Sequence, residues 1–175
     1  ALGVCLALGE ALNAPVAATN FSRLVIDPNR GEDDPTLPMK LYDGSIIPGN
    51  RAADSAGKLR RLDAYHRPYH RAVEQIIDGR EDVVIVAVHS FTPQLRGRAP
   101  RPWHIGILHA WDARLSDPLI ADLEAQDDLT VGRNQPYDGH LPGDSVDRHA
   151  LKHGRQNTLI ELRNDLIATT EQQNA

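Results

Sequence analysis

The chain alternates between apolar runs of helical period and short apolar runs of strand length. "ALGVCLALGEALNA" carries Leu2, Val4, Leu6, Leu8 and Leu12 and is apolar on most faces. That pattern predicts a buried core helix over about residues 2–13, ended by Asn13 and Pro15. Two short strands are predicted at Val16–Thr19 and Leu24–Ile26. From Ala53 to Asp78, Leu59, Leu62, Tyr65, Tyr69, Val73, Ile76 and Ile77 recur at helical spacing. This segment reads as a helix that Pro68 kinks or interrupts and Gly79 stops. Val83–Val88 is an unbroken apolar run and reads as a strand buried on both faces. Further strands are expected at Ile105–Leu108, Leu129–Val131 and Thr158–Leu162. Helices are expected at Leu115–Ala125, at Ser145–His153 with Gly154 as terminator, and from Asn164 onward. Strands alternating with helices predict a single α/β domain, with a mixed or parallel sheet between two helical layers.

Two long polar stretches interrupt this order. Asp27 to about Arg51 holds Pro28, Gly31, Pro35, Pro38, Gly44, Pro48 and Gly49. Arg133–Asp144 is a second Gly/Pro loop. A loop of the first kind in a compact domain is functional or disordered. Its acids, prolines and Asn-Arg pairs favour function.

Composition narrows the classes. The 175 residues carry 41% hydrophobic and 25% charged residues and a net charge of -5, which argues against a general nucleic-acid binder while leaving room for a local anion site. No apolar run is long enough for a membrane span. The opening segment lacks a basic n-region and contains Glu10, so it reads as a core helix and not as a signal peptide. Cys5 is the one cysteine, which excludes an internal disulfide and a cysteine zinc knuckle and fits a reducing compartment. Without a glycine-rich phosphate loop or a Gly-x-Ser-x-Gly elbow, nucleotide and serine-hydrolase chemistry find no support.

In open α/β sheets ligands gather beyond the carboxyl ends of strands, and three polar features fall near such places. His89 follows Val88 at the expected strand end, before the loop bearing Arg96, Arg98 and Arg101. It is either a neutral imidazole tying down loop backbone or a functional group, and the arginines favour function. Glu161 stands between Ile160 and Leu162. A buried carboxylate there is either ion-paired, with Arg163 or another arginine, or a general base with a tuned pKa. In "SRLVIDPNRGEDD", Arg23 and Arg30 flank a short strand and Asn29 stands beside Arg30. An arginine fork suits a carboxylate, yet Asp27-Pro28-Asn29 alone reads first as an ordinary turn. His66 and His70 of "HRPYH" have zinc-ligand spacing, but the glutamate of the metalloprotease motif is missing and Pro68 disturbs the geometry. They read as surface or packing residues. Tyr137 in "NQPYDG" reads as packing or as a residue closing over a ligand.

"SRLVIDPNR", "PGNR", "VHSFTPQLRGRAPRPWH", "NQPYDG" and "IELRNDLI", in this order, resemble the N-formylglutamate amidohydrolase family. The resemblance implies a fold like that of the zinc carboxypeptidases and hydrolysis of N-formyl-L-glutamate to formate and L-glutamate, late in histidine breakdown, in the cytoplasm. It implies zinc with His89 as a ligand and Glu161 as general base. Asn29 and Arg30 would hold a substrate carboxylate. Arg23, Arg96 and Arg98 are candidates for polarising the amide oxygen or holding a second carboxylate, and Tyr137 for a mobile loop. The expected partner is therefore a small anionic N-acyl amino acid. Related readings keep the fold but change the substrate to another N-acyl amino acid or short peptide, or make the protein a metal-free carboxylate binder. The family's first metal-ligand motif lies upstream of the helix that begins here. The expectation is thus one amidohydrolase domain over 1–175 without its N-terminal segment, with further zinc ligands upstream.

Overall fold

A computed structural model describes residues 1–174. The elements in chain order are α1 (Leu2–Ala11), β1 (Leu41–Tyr42), β2 (Ser45–Ile46), α2 (Ser55–Arg61), α3 (Arg67–Ile77), β3 (Ile85–Phe91), β4 (Ile105–Leu108), α4 (Ser116–Glu124), β5 (Val131–Arg133), α5 (Ser145–His149), β6 (Asn157–Arg163) and α6 (Thr170–Asn174). The four longer-range strands form one mixed sheet in the order β3-β6-β4-β5, with β3 parallel to β6, β6 antiparallel to β4, and β4 parallel to β5. The α/β class with a mixed central sheet is the one expected.

Two apolar clusters hold the fold. Leu108 and Leu159 from the sheet pack with Val146, Ala150 and Leu151 of the α5 region. Ile26, Leu37 and Leu62 pack beneath the long loop. Each fully buried Leu, Ile or Val side chain contributes roughly 1.5–3 kcal/mol.

α2 and α3 join into one helical rod, with Asp54 capping its start by accepting the Gly57 N–H at 2.6 Å. Residues Leu62–His66 between them form a π-helical turn, and the Arg67 N–H reaches back to the Leu62 carbonyl. Pro68 has no N–H to give to the preceding turn, so a widened turn there absorbs the lost bond without breaking the rod.

Several expectations are corrected. Val16–Thr19 and Leu24–Ile26 are not strands. The backbone of the second is held by side chains instead: the Asn50 Nδ2 donates to Leu24 O and Met39 O, each at 2.7 Å, and Arg61 Nη1 donates to Val25 O at 2.8 Å. The long loop contains a hairpin, β1–β2, turned at Asp43 (φ 47°) and Gly44 (φ 72°), a pair suited to the left-handed backbone of a type I′ turn. α1 contains no buried residue, and Leu2, Leu6 and Leu12 are exposed, so it is not a core helix among the described residues. β3 lies at the margin of the sheet, with Val84 and Val86 exposed, and is not buried on both faces. An apolar run records a preference for burial but not how many neighbours a strand has. β3 also extends to Phe91, which places His89 within the strand and not beyond it. The Ser145–His153 helix is α-helical to His149 and tightens to a 3-10 turn at Leu151–His153 before the left-handed Gly154.

Candidate active site

Strand register builds the centre of the site. In the parallel β3–β6 ladder His89 stands opposite Glu161, so the two side chains leave the sheet as direct neighbours. On the other side of β6, Gly106 of β4 stands opposite Glu161. Glu161 is 7% exposed, and its Oε2 is buried without a hydrogen-bond partner. Burial pushes its carboxyl up to about 7, against the opposing pull of the Arg23 and Arg101 guanidinia. Burial also pulls the His89 imidazole below its ordinary value; Asp27 works against that fall, and Arg23 and Arg30 add to it.

The loop after Val25 supplies the cations. Asp27 is buried and accepts the Asn29 N–H on Oδ1 at 3.0 Å, while the Arg30 N–H bonds the Asp27 carbonyl at 3.2 Å. The ordinary turn is therefore real, and it is also what sets Asn29 and Arg30 in place. Arg23 pairs with the Asp27 carboxylate at 2.7 Å, whereas Arg30 Nε stands 3.8 Å from it, too far for a hydrogen bond, and is buried without a partner. Asn29 Oδ1 accepts the Ser145 N–H at 3.3 Å, which leaves its Nδ2 as the end able to donate elsewhere. A buried acceptor on Glu161 and a buried donor on Arg30, both unpaired and both flanking His89, make a site suited to a ligand with a polar hydrogen and an anionic oxygen.

Tyr137 lies at the far side. The Arg101 guanidinium stacks over its ring at 5.1 Å, over Phe91 at 5.6 Å, and donates to the Tyr137 hydroxyl at 3.3 Å. Arg101 was not singled out as a site residue, since nothing in the sequence separates it from Arg96 and Arg98. Arg96 lies against the β1–β2 hairpin, its backbone N–H on Asp43 Oδ1 at 2.9 Å and its guanidinium next to Gly44, and the Arg98 backbone N–H bonds the Leu95 carbonyl. The structure thus brings His89, Glu161, Arg23, Asn29, Arg30 and Tyr137 into one neighbourhood and adds Asp27 and Arg101, while among the described residues no side-chain hydrogen bond or ion pair joins Arg96 or Arg98 to that set. A broad cleft of about 710 Å³, lined by Arg71, Glu74, Arg148 and Arg155, contains none of them.

A catalytic zinc takes about three protein ligands. Among the described residues no group of three ligating side chains converges. His89 supplies one imidazole, and these residues alone do not fit a zinc site.

The sequence model for the N-formylglutamate amidohydrolase family matches residues 5–168. Proteins named N-formylglutamate deformylase from Pseudomonas aeruginosa and Pseudomonas putida are 27% and 26% identical, over 80% and 79% of this chain. The chain spans 58% and 57% of their lengths. A solved gene product of Agrobacterium tumefaciens superposes with a TM-score of 0.92 at 40% identity, over 99% of this chain and 70% of that one. The N-formylglutamate amidohydrolase of Ralstonia eutropha superposes with a TM-score of 0.58 at 28% identity, over 83% of this chain and 63% of that one.

Proposed function

The chain belongs to the N-formylglutamate amidohydrolase family, and on that footing we propose that it hydrolyses the formyl amide of N-formyl-L-glutamate. The observation that carries the proposal is the pairing of His89 with Glu161 across β3 and β6, with one Glu161 oxygen buried and unpaired and the Arg23 and Arg101 guanidinia acting on that carboxyl. Arg30 and the Asn29 amide hold a substrate carboxylate. The Glu161 carboxylate takes a proton from water as the water oxygen bonds to the formyl carbon. The same proton passes to the amide nitrogen as the C–N bond breaks, and formate and L-glutamate leave. Arg101 and Arg23 offset the negative charge that grows on the formyl oxygen. A carboxyl held near 7 suits this role, because it takes and returns a proton at neutral pH with little cost either way.

Formate release from N-formyl-L-glutamate tests the reading directly. Glu161→Gln keeps the shape and removes the base, and is expected to lower kcat by about 10²-fold or more. Undiminished turnover by that variant would overturn it. Binding of N-formylglutamate without any formate would favour a carboxylate-binding protein instead. Zinc belongs to the same proposal, with His89 as one ligand and the others from residues outside this set. Elemental analysis decides: about one zinc per chain supports that role for His89, and full activity without zinc removes it.

A further inference from the structure

The histidines of "HRPYH" are neither surface residues nor simple filling. His66 and His70 are 1% and 0% exposed, and lie one turn apart on the α2–α3 rod with ring centroids 4.5 Å apart. His66 Nε2 is 2.9 Å from the Arg30 carbonyl oxygen, and His70 Nε2 is 3.1 Å from the Pro28 carbonyl oxygen. A carbonyl can only accept, so both Nε2 atoms carry the proton. The His70 Nδ1 is then an acceptor, and it takes the Nε2–H of His149 at 2.8 Å. The two carbonyls held in this way flank Asn29, whose Oδ1 is fixed by the Ser145 N–H. Burial keeps His70 and His149 neutral, with values pulled down to about 3 and about 4, so the chain of bonds is intact at neutral pH.

We propose that His66 and His70 are positioning residues that clamp the Pro28 and Arg30 carbonyls and so preset Asn29 and Arg30 for a substrate carboxylate. The inference deepens the function proposed above and rests on Asn29 and Arg30 being the carboxylate holders. A two-point carboxylate contact is sensitive to small displacements, and an unclamped Pro28–Gly31 turn would have to be ordered at the expense of binding. Neither imidazole touches the reacting atoms, so their loss should show in binding and not in turnover.

The test uses the intact chain, with Kd for N-formyl-L-glutamate from calorimetry and KM and kcat from formate release. His70→Leu is expected to raise Kd and KM about ten-fold, roughly the loss of one hydrogen bond, with kcat changed less than about three-fold. His70→Gln can donate to Pro28 and accept from His149, and should restore Kd to near the parent value. In an Asn29→Ala/Arg30→Ala background His70→Leu should have almost no further effect, because both groups that the clamp positions are then gone. Additive losses, or equal falls in kcat, would overturn the inference. If His70→Leu does not fold, His66→Asn against His66→Gln decides. Gln presents its amide at the reach of Nε2, Asn is one methylene short, and equal affinities would overturn the clamp. Arg30→Ala without loss of affinity, or a parent chain that binds no N-formylglutamate, would sink the underlying reading and the clamp with it. Weaker binding on Arg30→Ala with an unaltered His70→Leu would sink the clamp alone.

Discussion

Glu161 carries a proton affinity set by burial, and this gives it two separable signatures. Its folded-state value near 7 lies above the ordinary 4.5 of an unfolded chain. At this group the folded protein therefore binds more protons between those limits, so its contribution to stability is full below about 4.5 and is lost as pH rises through 7. The whole step is on the order of 3 kcal/mol. Glu161→Gln should flatten that slope in melting curves taken from pH 5 to 8 and be at least as stable as the parent at pH 8. The rate has the opposite sign, since only the ionised carboxylate acts as base. The parent kcat/KM should climb through about pH 7, and the rising limb should vanish in the variant. Arg101 offers a second residue-level contrast. Arg101→Ala removes the stacked guanidinium beside Tyr137 and Glu161 and should lower kcat/KM by about ten-fold or more. Arg96→Ala, which removes a guanidinium lying against Gly44 of the hairpin turn, should stay within about two-fold. A reversal of the two in formate-release assays would return the role to Arg96. Glu161 was legible in the sequence because a carboxylate between Ile160 and Leu162 has few innocent explanations. Arg101 was not, because three arginines within six positions differ only in how the loop folds.

Elements with a strong apolar period were read to within a residue or two, as β4 and β6 illustrate, and so was the α2–α3 rod. Leu24–Ile26 has the composition of a strand, but a strand needs a partner ladder. Asn50 and Arg61 satisfy its backbone instead, from residues far along the chain. The hairpin is a different failure: "LYDGSI" displays an Asp-Gly turn signal between apolar residues, and that rule would have found it. Gly106 had no visible signal, yet it decides how the 133–144 loop lies. A Cβ there would drive into the Gln135 carbonyl, so the loop passes directly over β4 only because the side chain is missing. Tyr137 reaches Arg101 by that path. Gly106→Ala should cost about 1–3 kcal/mol, read as a lower urea midpoint, and should weaken the contribution of Tyr137. An unchanged midpoint would show that the loop has room to move.

Across the whole molecule, exposed apolar side chains are spread from Trp111 to Leu41 and Ile46 of the hairpin, and one group lies by β3. Among the described residues β3 has a strand on one side only, Val84 and Val86 are exposed, and α1 presents Leu2 and Leu6. An open edge with β-branched residues invites pairing between chains, and a lysine there discourages it. Val86→Lys should therefore lower light scattering by concentrated protein while leaving the melting temperature within a few degrees. Equal scattering would show that this edge does not pair between chains. No helix of the described residues is long and apolar enough to cross a membrane. The sheet also divides the labour of the site. His89 and Glu161 are locked to each other by the backbone ladder of two seven-residue strands, whereas Arg30, Asn29 and Tyr137 ride on loops. A slip of one residue would turn either partner to the opposite face, so the His89–Glu161 juxtaposition is guarded by an all-or-nothing registry. The loops have no register to lose, and Leu37, Asn50 and the Gln135 carbonyl over Gly106 are the points that tie them to the body. Exchange of the segments between those points would vary the surroundings of His89 and Glu161 without touching their ladder, which suits the scaffold to laboratory evolution.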